Sequence, residues 1–208
     1  MSEKPMIPVF DGHNDTLLSL LSTGRDYYAG SDVGHWDAPR AKQGGLAGGF
    51  FACFVPTPGD TWTPNLEPIL GDSIKGLELA DENGSPTLAY AQLFANAMVA
   101  RLLNLEAGGG SMLRDLDKED GHAWTDDPLS IITFVEDLEE NIEAGVLSAI
   151  MHFEGAEMID ENFYALEMYH NAGLRSIGPV WSRSNIFGHG VPFHFPASPD
   201  IGPGLTAA

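Results

Sequence analysis

Val9-Phe10-Asp11-Gly12-His13-Asn14-Asp15 is the stretch on which the reading of this chain turns. It reads as one short strand ending in His-x-Asp. Residues two apart in a strand point to the same face, so His13 and Asp15 project side by side. An imidazole and a carboxylate delivered from one strand end form a common opening pair for a divalent-metal site, zinc above all. The same residues read equally as the start of a helix, with Asp15 capping the run Thr16 to Leu21. The rest of the chain has to decide.

Outward from that stretch, Thr16 to Ser22 is a short helix stopped by Gly24, and Arg25 to Gln43 is a structured excursion rich in Gly, Asp and aromatics. Phe50 to Val55 is an uninterrupted apolar run bounded by Gly48-Gly49 and Pro56, the pattern of a strand buried on both faces of a parallel sheet. A Pro/Gly-rich loop over Pro56 to Pro68 follows. The spacing then predicts helices from about Pro86 to Glu106 and from Pro128 to Ala144. In the second of these, Ile131, Ile132, Phe134, Val135, Leu138 and Ile142 fall on the inner side. Leu147 to Phe153 is a third strand, Asn162 to Ala172 a helix stopped by Gly173, and Leu174 to Trp181 a fourth strand. Four alternations of strand and helix mean parallel β/α architecture with right-handed crossovers. A doubly wound sheet and half of an eight-stranded barrel both fit that count.

Composition narrows the function. The chain has 208 residues, 43% hydrophobic and 19% charged, which describes a globular protein rather than a disordered one. Thirty acidic against ten basic side chains leave a formal charge of −20. That argues against nucleic acid and anionic membrane surfaces as partners, since both need a basic face. It is compatible with cation binding. The lone cysteine, Cys53, sits inside the apolar run Phe50 to Val55 and reads as a buried structural thiol. Met1 to Val9 lacks a leader pattern and no run reaches the ~20 apolar residues of a membrane span, so the expectation is a soluble cytoplasmic protein.

The third strand supplies the deciding carboxylate. In Ala149-Ile150-Met151-His152-Phe153-Glu154-Gly155, His152 and Glu154 share a face. A carboxylate at a strand end needs a cation or hydrogen-bond donors, because burying it alone is costly. In a parallel barrel the strand C-termini converge on one rim, where Glu154 would meet His13 and Asp15.

Taken in order, Asp-Gly-His-Asn-Asp on the first strand, Glu154-Gly155-Ala156-Glu157 after the third and Gly173-Leu174-Arg175-Ser176-Ile177 on the fourth resemble the membrane (renal-type) dipeptidases, peptidase family M19, in its bacterial branch. His35-Trp36-Asp37-Ala38-Pro39-Arg40 and Gly202-Pro203-Gly204-Leu205-Thr206 carry the same resemblance, which runs from Val9 to the last residue. It implies an α/β fold of parallel β/α units, the first half (about four strands) of a TIM-barrel metal-dependent hydrolase. Residues 1–208 would then form a single incomplete barrel domain. It also implies two zinc ions, with His13 and Asp15 as ligands of one metal and Glu154 as the carboxylate bridging both. Two such cations lower the pKa of a bridging water toward ~7 and polarise the scissile carbonyl. The implied reaction is attack of that water on the amide of a small dipeptide.

Two departures accompany the resemblance. The family takes two further histidine ligands, an acid and an arginine from strands beyond residue 208, so the fragment alone is expected to be inactive and poorly stable. The missing C-terminal half, or a homodimer partner, would complete it. Where renal-type enzymes place a substrate-contacting histidine, this chain has Trp181. Arg183 is positioned either to pair with a substrate carboxylate or to form a salt bridge with one of the 30 acidic residues. His152 reads as a hydrogen-bonded core residue, His189 and His194 as loop residues near the mouth, and His122 and His170 as surface residues. A non-catalytic metal-binding or assembly fragment, or another amidohydrolase-type hydrolase such as a deaminase or lactonase, remains the alternative.

Overall fold

A computed structural model describes residues 7–59, 71–110, 125–191 and 193–208. Its strands are β1 (Val9–Asn14), β2 (Leu46–Phe54), β3 (Ser130–Ile131), β4 (Ser148–Glu154) and β5 (Leu174–Gly178). Its helices are α1 (Thr16–Thr23), α2 (Ala38–Gln43), α3 (Leu88–Glu106), α4 (Val135–Ala144) and α5 (Tyr164–Asn171). A 3-10 turn spans Gly71–Ile74. The strands belong to one sheet in the order β1-β2-β4-β3, with β5 also paired to β4. β1 runs parallel to β2, with Asp11 opposite Gly49 and Asn14 opposite Phe51, and β3 runs parallel to β4. The fold is α/β with parallel strands, as its alternation of elements requires.

Contacts group the chain into two compact units, Met1–Ala52 with Ala100–Met151, and Cys53–Val99 with His152–Ala208. β2, α3 and β4 each pass from one unit into the other.

In the first unit Leu17, Leu20, Tyr27, Phe51, Leu102, Leu105 and Met151 are buried. α1 ends as the glycine signal predicts: Gly24 takes a left-handed φ of 66° and its N–H donates to the carbonyl of Leu20. The excursion after α1 is held by charge. Asp37 is almost fully buried and accepts the backbone N–H (3.0 Å) and the Nε–H (2.7 Å) of Arg40. Arg25 lies 4.0 Å from the same carboxylate and donates to the carbonyl of Trp36 at 2.8 Å. Burial alone would raise the Asp37 pKa, but the side-chain and backbone hydrogen bonds of Arg40 and the two guanidinium charges outweigh it and hold it low. Tyr28 ties two elements together, donating to the carbonyl of Leu105 at 2.6 Å and accepting the N–H of Leu129 at 3.0 Å.

Two expectations are corrected here. The strand expected over Phe50 to Val55 begins earlier, at Leu46, because Gly48 lies within it rather than before it. A Cβ at Gly48 would stand 2.2 Å from the carbonyl oxygen of Ser148, so only glycine permits the strands to approach there. The helix expected from Pro128 begins only at Val135, and Ser130 and Ile131 are extended instead, facing Ser148 and Ala149. Asp137 sets the later start by accepting the N–H groups of Thr133 and Phe134, both at 2.9 Å. Ile132 is buried as expected, whereas Phe134, Val135 and Ile142 are exposed.

In the second unit Cys53, Tyr90, Phe94, Met98, Phe153 and Met158 are fully buried. Phe153 packs edge-on against Tyr169, with ring centroids 4.8 Å apart, and the Tyr169 hydroxyl pairs with Asn96 Oδ1 at 3.0 Å. α5 starts where Asp160 accepts the N–H groups of Tyr164 (3.3 Å) and Ala165 (2.8 Å), and Gly173 follows the helix at a φ of 110°. The fourth predicted strand stops at Gly178, short of Trp181.

Candidate metal centre

β1 ends by a device that the sequence pattern alone does not reveal. Asn14 is buried, donates through Nδ2 to the carbonyl of Phe50 at 3.0 Å, and accepts the N–H of Thr16 on Oδ1 at 3.2 Å. It therefore fixes the strand end against β2 and covers the first amide of α1. Asp15 occupies the N-cap position, yet its side chain makes no capping hydrogen bond. The helix-cap reading of Asp15 accordingly fails, because Asn14 takes that role.

The Asp15 carboxylate instead stands beside the His13 imidazole, Nε2 to Oδ1 3.6 Å, with the two side chains 41% and 61% exposed. That distance is too long for a hydrogen bond. It is close to the separation of two donors sharing one ion, since tetrahedral ligands about 2 Å from zinc stand about 3.3 Å apart. On β4, Met151 and Phe153 are buried while His152 and Glu154 alternate to the other face, half-buried. His13 and Asp15 lie in the first unit and Glu154 in the second. One imidazole nitrogen and two carboxylate oxygens suit zinc and other borderline or hard divalent ions.

The other candidates fall elsewhere. His152 Nδ1 pairs with Ser176 Oγ on β5 at 2.8 Å, so it is hydrogen-bonded as expected but half-buried rather than in the core. Arg183 takes the salt-bridge course: Nη2 reaches Glu157 Oε1 at 2.9 Å, and the guanidinium also donates to the carbonyl of Val55 (2.6 Å) and to Thr57 Oγ1 (2.7 Å). Its central carbon lies 5.4 Å from the centre of the Phe54 ring and 5.7 Å from that of Trp181, which packs edge-on against Phe54. His189 is half-buried, His170 and His194 are exposed, and His122 lies outside the described residues. Cys53 is fully buried, and burial pushes its thiol far above the ordinary range, as a structural cysteine requires.

Comparison with known proteins decides the family. The family model of membrane dipeptidase (peptidase family M19) matches residues 4–207. The chain belongs to that family. It is 40% identical to the dipeptidase AC, a metallopeptidase of family M19, superposing with a TM-score of 0.70 over 97% of this chain and 51% of that one. It is 38% identical to a metallopeptidase from Rhodobacter sphaeroides that was solved with a phosphinate mimic of the dipeptide L-Ala-D-Ala. There the TM-score is 0.69, over 98% of this chain and 54% of that one. An uncharacterised protein from the PQQ-III 3′ region of Acinetobacter calcoaceticus is 35% identical over 206 residues, 97% of this chain and 57% of that protein. This member of family M19 thus spans about half the length of the relatives it matches. No helix among its described residues is long and apolar enough to cross a membrane.

Proposed function

We propose that this chain carries the N-terminal half of a zinc-dependent dipeptidase site, with His13, Asp15 and Glu154 as metal ligands. The observation that carries the reading is the His13–Asp15 pair, Nε2 to Oδ1 3.6 Å, in a chain that the M19 family matches almost from end to end. The dipeptide as substrate is supported by the Rhodobacter sphaeroides relative, which holds a mimic of one.

A bound divalent ion supplies two things to amide hydrolysis, a water of lowered pKa and polarisation of the scissile carbonyl. The chain's own residues supply position. His13 near the end of β1 and Asp15 just after it stand side by side, and the Asn14 side chain locks that strand end to β2. Glu154 would supply the second carboxylate, to help hold the metal and to accept the proton of an attacking water. Three protein ligands are fewer than two zinc ions need. Residues 1–208 therefore form an incomplete barrel domain in this reading, which the C-terminal half of the relatives, or a partner chain, would complete.

The test is zinc titration by calorimetry with a parallel dipeptide-hydrolysis assay. The 208-residue chain should bind zinc weakly and turn over no dipeptide, and His13→Ala or Asp15→Ala should weaken zinc binding about 10- to 100-fold. Activity should appear on mixing with the C-terminal half of a relative such as the Rhodobacter sphaeroides metallopeptidase. Unchanged zinc affinity in both variants would refute the ligand assignment, and full turnover by the isolated chain would refute the incomplete site.

A further inference from the structure

The turn that follows β4 is clamped by a side chain from the loop after β5. β4 ends at Glu154. Gly155 then turns the backbone at a φ of 96°, and its N–H donates to the carbonyl of Gly178, the last residue of β5, at 2.9 Å. Glu157 folds back over that turn. A Cβ at Gly155 would collide with Glu157 Oε2, so this buried oxygen lies against the residue that directly follows Glu154. Glycine is required there twice, for its φ and for the carboxylate packed on it.

Arg183 fixes that carboxylate. Its Nη2 and Nε donate to Glu157 Oε1 at 2.9 and 3.3 Å. The same guanidinium donates to the carbonyl of Val55, just past the end of β2, and to Thr57 Oγ1, and the Phe54 and Trp181 rings flank it. With donors committed to three partners in two loops, the guanidinium has one place to sit. Contacts therefore run from the end of β2 through Arg183 and Glu157 to Gly155, all within the second unit.

Stability alone gives no reason for a salt bridge here, since apolar residues of similar volume often serve a buried site as well or better. Position does give one. A site residue has to be held within about 0.5 Å of its working geometry, and the groups that hold a metal ligand tune the affinity it delivers. We propose that Arg183, acting through Glu157 and the Gly155 turn, is a positioning residue for the Glu154 carboxylate. This rests on the ligand role given to Glu154 above.

The double variant Arg183→Met, Glu157→Met leaves the net charge unchanged and separates positioning from stability. Zinc titration by calorimetry on the 208-residue chain is read beside its urea unfolding. Zinc affinity should fall about tenfold, while the unfolding midpoint stays near the parent's. Glu157→Gln keeps the acceptor for Arg183 and should bind zinc as tightly as Glu161→Gln, which removes the same charge at an exposed position. Lys75→Gln with Asp72→Asn, an exposed ion pair, should leave zinc affinity at the parent's value. Should the double variant unfold, Arg183→Lys carries the test. Its ammonium keeps the charge but not the fork that reaches Glu157, Val55 and Thr57 together, and zinc affinity should again fall. Parent-like zinc affinity in the folded double variant or in Arg183→Lys would overturn the proposal, as would a Glu157→Gln variant as weak as the double one. Glu154→Gln keeps the two failures apart. If it weakens zinc binding and the clamp variants do not, positioning alone is refuted; if it leaves zinc binding unchanged, the ligand role of Glu154 falls and the positioning role with it.

Discussion

Arg183→Met is expected to destabilise the chain by about 3–5 kcal/mol, the cost of leaving one member of a buried ion pair uncompensated. The structure explains why the much smaller cost of breaking a surface pair does not apply. Arg183 and Glu157 are 13% and 4% exposed, so solvent screens them little, and their contact is 2.9 Å. The same guanidinium satisfies the carbonyl of Val55 and the hydroxyl of Thr57, and both would lose that donor with it. The assay is urea unfolding at pH 7 followed by circular dichroism, with thermal unfolding in parallel. At about 2–4 °C per kcal/mol for a chain of this size, the midpoint should fall by about 6–20 °C. The double variant Arg183→Met, Glu157→Met should recover most of the loss, because two apolar side chains of similar volume leave neither a buried charge nor the orphaned Oε2. A loss below about 1 kcal/mol in the single variant would refute the argument, since that is the range of an exposed pair. So would a double variant as unstable as the single one, which would mean that packing on Phe54 and Trp181, not charge, dominates at this position.

Asp37→Asn should cost about 3–5 kcal/mol at pH 7, because it leaves the buried Arg25 without its counter-charge. The native Asp37 pKa lies below its unfolded value, so its contribution is present above the unfolded pKa and fades as pH falls through the folded one. The variant's stability should therefore change less than the parent's below about pH 4, and parallel acid-unfolding curves for the two would contradict the assignment. Cys53 should not react with a thiol reagent in the folded chain, given its full burial and raised pKa. Its labelling should follow the urea transition, and rapid labelling in native buffer would show that β2 opens locally.

What the residues disclose by themselves is what depends on neighbours in sequence. The glycine stops at Gly24 and Gly173 and the apolar run within β2 are local patterns, and the structure keeps both glycines at positive φ after their helices and the run inside β2, though β1 ends at Asn14, before Asp15, and β2 begins at Leu46. β3 is hidden because two residues are too short to show a period, and its pairing with Ser148 and Ala149 is a long-range fact. The apolar residues from Leu129 to Val135 imitate a helix face, although Leu129 and Ile132 are buried in an extended segment and Phe134 and Val135 face solvent. Partner choice is equally hidden: Arg183 has 30 acids available, and only the fold puts Glu157 beside it.

The two readings of Asp15 show where sequence reasoning ends and geometry has to begin. A cap and a metal ligand both require an acidic side chain at the junction of a strand and a helix, so residue type and spacing cannot separate them. What separates them is which acceptor the first helical amide finds. It finds Asn14 Oδ1 at 3.2 Å, which Asn14 can offer because its Nδ2 already donates to Phe50. One buried asparagine thus satisfies both the strand end and the helix start. That leaves the Asp15 carboxylate outside the backbone network and 3.6 Å from the imidazole of His13, where the metal-site reading needs it.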